Sequence, residues 1–365
     1  MRRFSHGCER CVGRNAVKAL NVLKVLKVLK VLGKALVALL VVLVLLAVVI
    51  VGLRAYNRHT YPFGSVGSSS VAGEGDGGAS LSVAPIHGDQ IEGFHITPER
   101  KTHPGVVVVY GGSEGGADRT RAEWLAGEGY EVLSMYFFGQ EGQQQGLAEV
   151  PLEQFDEVST LIDATVDGDG PVTVVGTSKG AEFVELLAAK GFRVDNVVAF
   201  VPASYSYPGL VFQQAEELPS FTYKGEAVPF ASFRAGSMAA GAKQMWDMVT
   251  GYPVSYRATY ESAAEAAPEE ARIDLSHFGG NVLLFAGEDD QMWQSADAAR
   301  ELETQGEQVE THVYPDAGHV FFAHAEELPN GWQIMLGGTP EGNRAAYEDS
   351  RAVLLERLDQ WHGRQ

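Results

Sequence analysis

Residues 106–110 read VVVVY, five apolar positions in succession, and similar runs recur with few interruptions at 131–137, 172–177, 196–201, 281–286 and 309–314. Short apolar runs rich in β-branched residues, without polar alternation, are the pattern of strands buried on both faces. Between them the period turns helical. Residues 119–126 read as a helix, and Leu152, Phe155, Val158 and Ile162 share one face of a second. A closing helix is expected near residues 345–361. Strands alternating with helices predict an α/β fold with a mostly parallel sheet and helices on both faces. After residues 196–201 the alternation lapses into a long irregular insert, about residues 204–272, rich in Tyr, Phe, Met and Trp. Its position suits either a cap that lines a pocket or extra packing on the sheet edge.

The longest apolar run lies outside this pattern. Residues 35–53, ALVALLVVLVLLAVVIVGL, hold nineteen positions without a charge, enough to cross a bilayer as a transmembrane helix. Nine Lys/Arg precede it, four of them in the low-complexity stretch NVLKVLKVLKVLGK, and Arg54 and Arg58 follow. The positive-inside bias then makes residues 1–34 a basic cytoplasmic tail and places everything beyond Leu53 outside. An uncleaved anchor fits better than a cleaved signal peptide, because the run exceeds a usual h-region and no clear small-x-small site follows it. A start downstream of this flank is a further alternative. Residues 54–80, with GSVGSSSVAGEGDGGAS at 64–80, are expected as a flexible Gly/Ser linker, and residues 81–365 as the catalytic domain.

Charge sharpens this division. The net −19 of the 365 residues conceals ten Lys/Arg against one acid in residues 1–54, and 18 bases against 46 acids in the rest. A domain that acidic repels phosphate backbones, which excludes nucleic acid as the expected partner. The acidity suits an ordinary soluble surface or solubility in strong salt equally well. Cysteine occurs only at Cys8 and Cys11, a C-x-x-C with no second pair, so neither a disulfide framework nor a metal site is expected. Cysteine is thereby also excluded as a nucleophile in the main domain.

The chemistry is concentrated where buried strands end. Gly176-Thr177-Ser178-Lys179-Gly180 stands between a strand and a helical pattern, the context in which a sharp turn lifts a serine hydroxyl above the sheet edge. Such a serine needs a base and an orienting carboxylate, which in α/β-hydrolases follow in the order acid, then histidine, after later strands. Glu288-Asp289-Asp290 follows NVLLFAG, and Asp316-Ala317-Gly318-His319 follows THVYP. His319 is the preferred base, with His312 and His324 as lesser candidates. The glycine-rich turn after VVVVY offers N–H donors for an oxyanion at Gly112, Ser113 and Glu114, beside the N–H of Lys179. That turn lacks the Gly-Lys-Ser/Thr of a phosphate loop and the spacing of a dinucleotide fingerprint, so no cofactor is expected.

Together, GGSEGG, LAEVPLEQF, GTSKGAE, YKGEAVPF, GEDDQMWQSA, YPDAGH and LGGTP resemble the type I acyl-CoA thioesterases and bile acid-CoA:amino acid N-acyltransferases, over about residues 104–361. The resemblance implies an α/β-hydrolase with an insert after the sixth strand, here preceded by one N-terminal transmembrane helix. In that family the triad is a serine or cysteine, the last Asp of a Gly-x-x-Asp turn, and the histidine of a Gly-His pair. These fall on Ser178, Asp290 and His319. The implied activity is hydrolysis of a small-molecule acyl thioester, most directly acyl-CoA. Serine favours hydrolysis over transfer to an amino acid, because a serine ester is a harder target for an amine than a cysteine thioester. Two features depart from the family. Its animal members carry an N-terminal β-sandwich where this chain has a membrane span and linker, and they meet CoA esters inside cells or organelles, whereas the charge flanks place this domain outside. An anchored extracellular carboxylesterase or peptidase with the same triad, and a non-catalytic ligand-binding relative, are the other readings.

Overall fold

In each buried strand, alternate residues enter opposite cores, which is what a sheet covered on both faces requires. The computed structural model describes residues 9–64, 81–166, 170–211 and 216–364. Strands β1 (Ser82–His87), β2 (Glu92–Thr97), β3 (Val106–Tyr110), β4 (Val132–Tyr136), β6 (Val172–Thr177), β7 (Asn196–Phe200), β10 (Asn281–Gly287) and β11 (Val309–Tyr314) form an eight-stranded sheet in the order β1-β2-β4-β3-β6-β7-β10-β11. From β4 to β11 every pairing is parallel; β2 runs antiparallel to both β1 and β4. Val106, Val108 and Tyr110 of β3 enter one core while Val107 and Val109 enter the other, and in β10 Val282, Leu284 and Ala286 oppose Leu283 and Phe285 in the same way.

The helices are α1 (Glu9–Thr60), α2 (Arg119–Gly127), α3 (Gln154–Thr165), α4 (Lys179–Ala189), α5 (Met238–Thr250), α6 (Arg257–Glu265), α7 (Ser295–Glu303), α8 (Asn330–Leu336) and α9 (Pro340–His362). In α3, Phe155, Val158 and Ile162 are buried at the helical spacing expected of them, while Leu152, expected on the same face, is buried in the turn before the helix, which begins only at Gln154. In α9, Leu354 and Leu358 pack into the core that holds Val107 and Leu283. The fold is that of an α/β-hydrolase, with α4 following the central strand β6.

The insert after β7, the sixth strand of this sheet in chain order, is less irregular than its sequence predicts. It contains α5, α6 and the short strands β8 (Phe221–Tyr223) and β9 (Glu226–Ala227). β8 pairs in parallel with β5 (Val150–Pro151) and antiparallel with β9, forming a second small sheet. Strands of two or three residues leave no readable period, and the pairing of β8 with β5 depends on a partner 71 positions away. The β1–β2 hairpin escaped prediction for a related reason: most of β1 is exposed and carries little apolar signal.

α1 belongs to one compact unit of the chain, and the sheet with its covering helices to a second. α1 is long and apolar enough to cross a membrane. It extends beyond residues 35–53 in both directions, so residues 9–34 and 54–60, expected as tail and linker, are helical. No proline occurs between Glu9 and Thr60, and Leu, Ala, Lys and Arg favour helix throughout. The helix ends just before Tyr61-Pro62, where a proline turns its predecessor away from helical geometry. Cys8, the side chain of Cys11 and linker residues 65–80 lie outside the described residues.

Candidate active site

The end of β6 is where the backbone is most constrained. Ser178 has φ 57° and ψ −118°, a conformation few non-glycine residues adopt, and its N–H donates to the carbonyl of Phe200 at 2.9 Å. The flanking glycines are sterically required. A Cβ at Gly176 would lie 2.1 Å from the carbonyl oxygen of Gly180, and one at Gly180 would lie 1.9 Å from that of Gly111. The sharp turn exists because two backbones meet where side chains have been deleted. α4 begins at the next residue, so the Lys179 N–H is among those without an intrahelical acceptor.

β10 and β11 end on the same side of the sheet and deliver two further groups. His319 Nε2 lies 2.9 Å from Ser178 Oγ. Its Nδ1 lies 3.0 and 2.9 Å from the two oxygens of Asp290. Asp290 is fully buried, and its remaining acceptor capacity is filled by the N–H groups of Met292 at 2.8 Å and Trp293 at 3.2 Å and by the Ser295 hydroxyl at 2.6 Å. Such an acceptor set holds a carboxylate in one orientation. Asp289 is exposed, and its N–H donates to Ala317. The His319 turn is braced from behind by Leu336, whose carbonyl accepts the His319 N–H at 2.8 Å, and the Trp293 ring stands edge-on 5.7 Å from the imidazole. His312 bonds Glu310 within β11, and His324 lies 4.0 Å from Glu326. Of the three histidines considered, His319 is the one bonded to Ser178.

The glycine turn after β3 flanks the serine: a Cβ on Gly112 would come within 3.5 Å of Ser178 Cβ. Its Gly112 N–H donates to Glu114 Oε1 at 2.8 Å, so the carboxylate occupies one of the expected oxyanion donors. Ser113 and Glu114 are exposed at the tip of this turn.

Two features beside the serine were not anticipated from sequence. The Lys179 side chain turns inward, bonding Glu182 Oε2 and Ser220 Oγ at 2.7 Å each and reaching the Tyr207 carbonyl at 3.4 Å. Glu182 also accepts from Ser206 Oγ at 2.7 Å and the Tyr207 N–H at 3.0 Å, so the helix behind the serine is bonded to the insert. Burial pulls the Lys179 amine below its usual range, opposed by Glu182. One turn further, burial pushes the Glu185 carboxyl well above the carboxylate range. The Lys-x-x-Glu spacing was visible in GTSKGAE, but it reads equally as an exposed helical pair. The second feature is Arg121 of α2. It donates to Thr177 Oγ1 at 2.8 Å, pairs with Asp118 at 2.9 Å and lies 4.0 Å above the Phe200 ring, fixing the residue before Ser178 from the other face of the sheet.

Aromatic residues of the insert pack against one another and against Trp293, which follows β10 and stands beside His319. Tyr207, Tyr260 and Trp293 are buried in mutual contact, with Tyr207–Tyr260 centroids 4.7 Å apart and Tyr260–Trp293 5.5 Å. A cavity of about 330 Å³ opens elsewhere, lined by residues that include Gln90, Phe137, Gln143 and Gln154, and none of Ser178, Asp290 and His319 lines it.

The family model described as BAAT / Acyl-CoA thioester hydrolase C terminal matches residues 150–347, more than half of the chain. Acyl-coenzyme A thioesterase 6 of Mus musculus is 29% identical over 230 residues, covering 61% of this chain and 50% of that protein. Acyl-coenzyme A thioesterase 1 of Homo sapiens is 25% identical over 282 residues, covering 73% and 62%. The aligned part of the chain therefore spans about half to three-fifths of the length of these relatives. Among solved structures, an esterase of Pyrococcus furiosus is similar at 15% identity and a TM-score of 0.47, covering 83% of this chain and 98% of that one.

Proposed function

Because the chain belongs to the BAAT / acyl-CoA thioester hydrolase C-terminal family, we propose that it is a serine hydrolase cleaving acyl thioesters, with acyl-CoA the leading substrate class. The observation that carries this reading is the unbroken hydrogen-bond chain Ser178–His319–Asp290. Ser178 Oγ attacks the acyl carbonyl carbon while its proton passes to His319 Nε2. Asp290 accepts from Nδ1–H and stabilises the imidazolium that forms. The negative oxygen of the tetrahedral intermediate is held by the Lys179 N–H and by a donor from the turn at Gly112, Ser113 and Glu114. Gly112 serves in this role once the Glu114 carboxylate has withdrawn from its N–H. Collapse of the intermediate expels the thiol, protonated by His319. A water deprotonated by the same imidazole then attacks the acyl-serine and releases the carboxylic acid.

A second reading, an anchored carboxylesterase or peptidase using the same three residues, is favoured by one specific feature. α1 is long and apolar enough to cross a membrane, and as an anchor with this basic flank it would, by the positive-inside bias, hold the N-terminus in the cytoplasm and the catalytic domain outside, away from intracellular CoA. The purified full chain, assayed against a series of acyl-CoA thioesters and matched simple esters, separates the two. Faster turnover of the thioesters is expected, and a clear preference for esters would retire the CoA substrate. Asp290→Asn should lower kcat on the order of ten-thousandfold through a wrong imidazole tautomer, with Asp289→Asn near the parent. Equal losses from the two variants would remove Asp290 from its role.

A further inference from the structure

We propose that the outward face of α5 seats on the lipid bilayer that α1 enters, making the insert a membrane-contacting cap; this rests on reading α1 as a membrane anchor. α5 is inside out for a helix on a soluble domain. Met238, Met245 and Met248 are 91%, 60% and 50% exposed, with Trp246 at the edge of the same face at 46%. Met238 and Met245 are two turns apart, and Gly241 and Ala242 lie between them on that face, leaving a stripe without a charge. Asp247 lies on the opposite side of the helix. Asp247 is buried with its carboxylate 2.5 Å from Lys243, whose stem flanks the stripe.

An exposed apolar stripe of this kind marks a contact surface, and methionines adapt to an irregular one. The chain's own composition identifies the occupant. A helix with an apolar face, an indole at its edge and a lysine at its flank has the make-up of an interfacial helix lying in the headgroup plane. The chain beyond residue 54 is strongly acidic, with 46 acids against 18 bases, so anionic headgroups repel it. Contact must then come from apolar insertion at an acid-free face, which α5 supplies. A chain held to a bilayer by α1 meets that surface at high effective concentration, so even a weak interfacial helix is engaged. α6 follows α5, and its Tyr260 packs on Trp293, the residue beside His319, so lipid contact at α5 bears on the wall of the site.

The test uses the full chain with Cys8 and Cys11 replaced by serine, reconstituted in phosphatidylcholine vesicles. One fluorophore is placed at a time through Met245→Cys, Glu348→Cys at an exposed position of α9, or Val42→Cys within α1. Quenching is read with aqueous iodide and with nitroxide-labelled lipid. The expected result is iodide quenching at Met245 several-fold weaker than at Glu348, with lipid quenching at both Met245 and Val42. Iodide reaching Met245 as freely as Glu348, with Val42 quenched from lipid, overturns the docking of α5 and leaves the anchor intact. Iodide reaching Val42 overturns the anchor and this inference with it. A Met245 probe shielded from both quenchers means a protein, such as a second copy of this chain, covers the stripe, and that result also overturns bilayer contact.

Discussion

α4 and α5 both break the rule that charge faces water and apolar groups face the core, in opposite ways. α4 is buried along nearly its whole length and carries Lys179, Glu182 and Glu185 inside. α5 leaves three methionines in the open and buries Asp247. In α4 the exception is resolved within the fold for Lys179 and Glu182, which neutralise each other and are bonded by the hydroxyls and backbone of Ser206, Tyr207 and Ser220, whereas Glu185 keeps one buried oxygen without a hydrogen-bond partner and is driven toward its neutral form. The methionines of α5 have no such cover among the described residues and stay half or more exposed. A buried charge must find its partner during folding or the fold is lost, whereas an exposed methionine costs little and can await a partner that is not part of the chain.

The comparison sharpens if chemistry and folding separate along α4. The largest effect is expected from Ser178→Ala at its head, a loss of turnover on the order of 10⁶ with little change in unfolding midpoint, because the half-buried hydroxyl contributes little packing. Parallel assays of hydrolysis and denaturant unfolding read both quantities, and activity retained within tenfold of the parent would take the nucleophile role away from Ser178. One residue on, Lys179→Met should do the reverse, lowering stability by about 3 kcal/mol because the Glu182 carboxylate is left buried without its cation. Lys179→Met combined with Glu182→Gln should cost less than Lys179→Met alone. If the double variant is the less stable of the two, the pair is not what reconciles α4 with its burial.

A smaller, pH-dependent effect belongs to Glu185. Burial raises its folded-state pKa above the unfolded value of about 4.3, so the stability held by the protonated form is complete below that pH and is lost as pH rises through the folded pKa. Glu185→Gln should therefore be near neutral at pH 4 and more stable than the parent at pH 8, measured as unfolding free energy across that range. Parallel pH profiles for the two proteins would show that Glu185 ionises at no cost. The smallest change is expected on α5, where Met245→Gln should alter unfolding free energy by no more than about 0.5 kcal/mol. A loss of 2 kcal/mol or more in urea titrations would mean Met245 supports the fold, and the contrast between the two helices would collapse.

The order of strands and helices, the elbow and the three residues that meet at it were legible in the chain because each rests on a local rule. VVVVY reads as a doubly covered strand, Gly176 and Gly180 read as a close backbone approach, and Glu288-Asp289-Asp290 and His319 stand just after apolar runs, with the family resemblance singling out Asp290. The insert was not legible in the same way. β8 has three residues and pairs with a strand some seventy positions earlier, so its pattern is too short and its partner too distant for periodicity to register. α1 falls between these cases. Its apolar run was plain from composition, while its helical extension through residues 54–60 follows from the absence of any breaker before Pro62.

By itself, then, the sequence determined which segments become strands and helices and which residue types gather at the strand ends, because backbone sterics and hydrophobic period act over a few residues. Only the tertiary structure decided that Lys179 points into the core and that Glu114 lies on the Gly112 N–H. The first depends on how the Lys179 side chain is aimed when Ser220, 41 positions away, is brought beside it, and the second on how a turn folds a side chain back onto its own backbone; no hydrophobic period carries either direction.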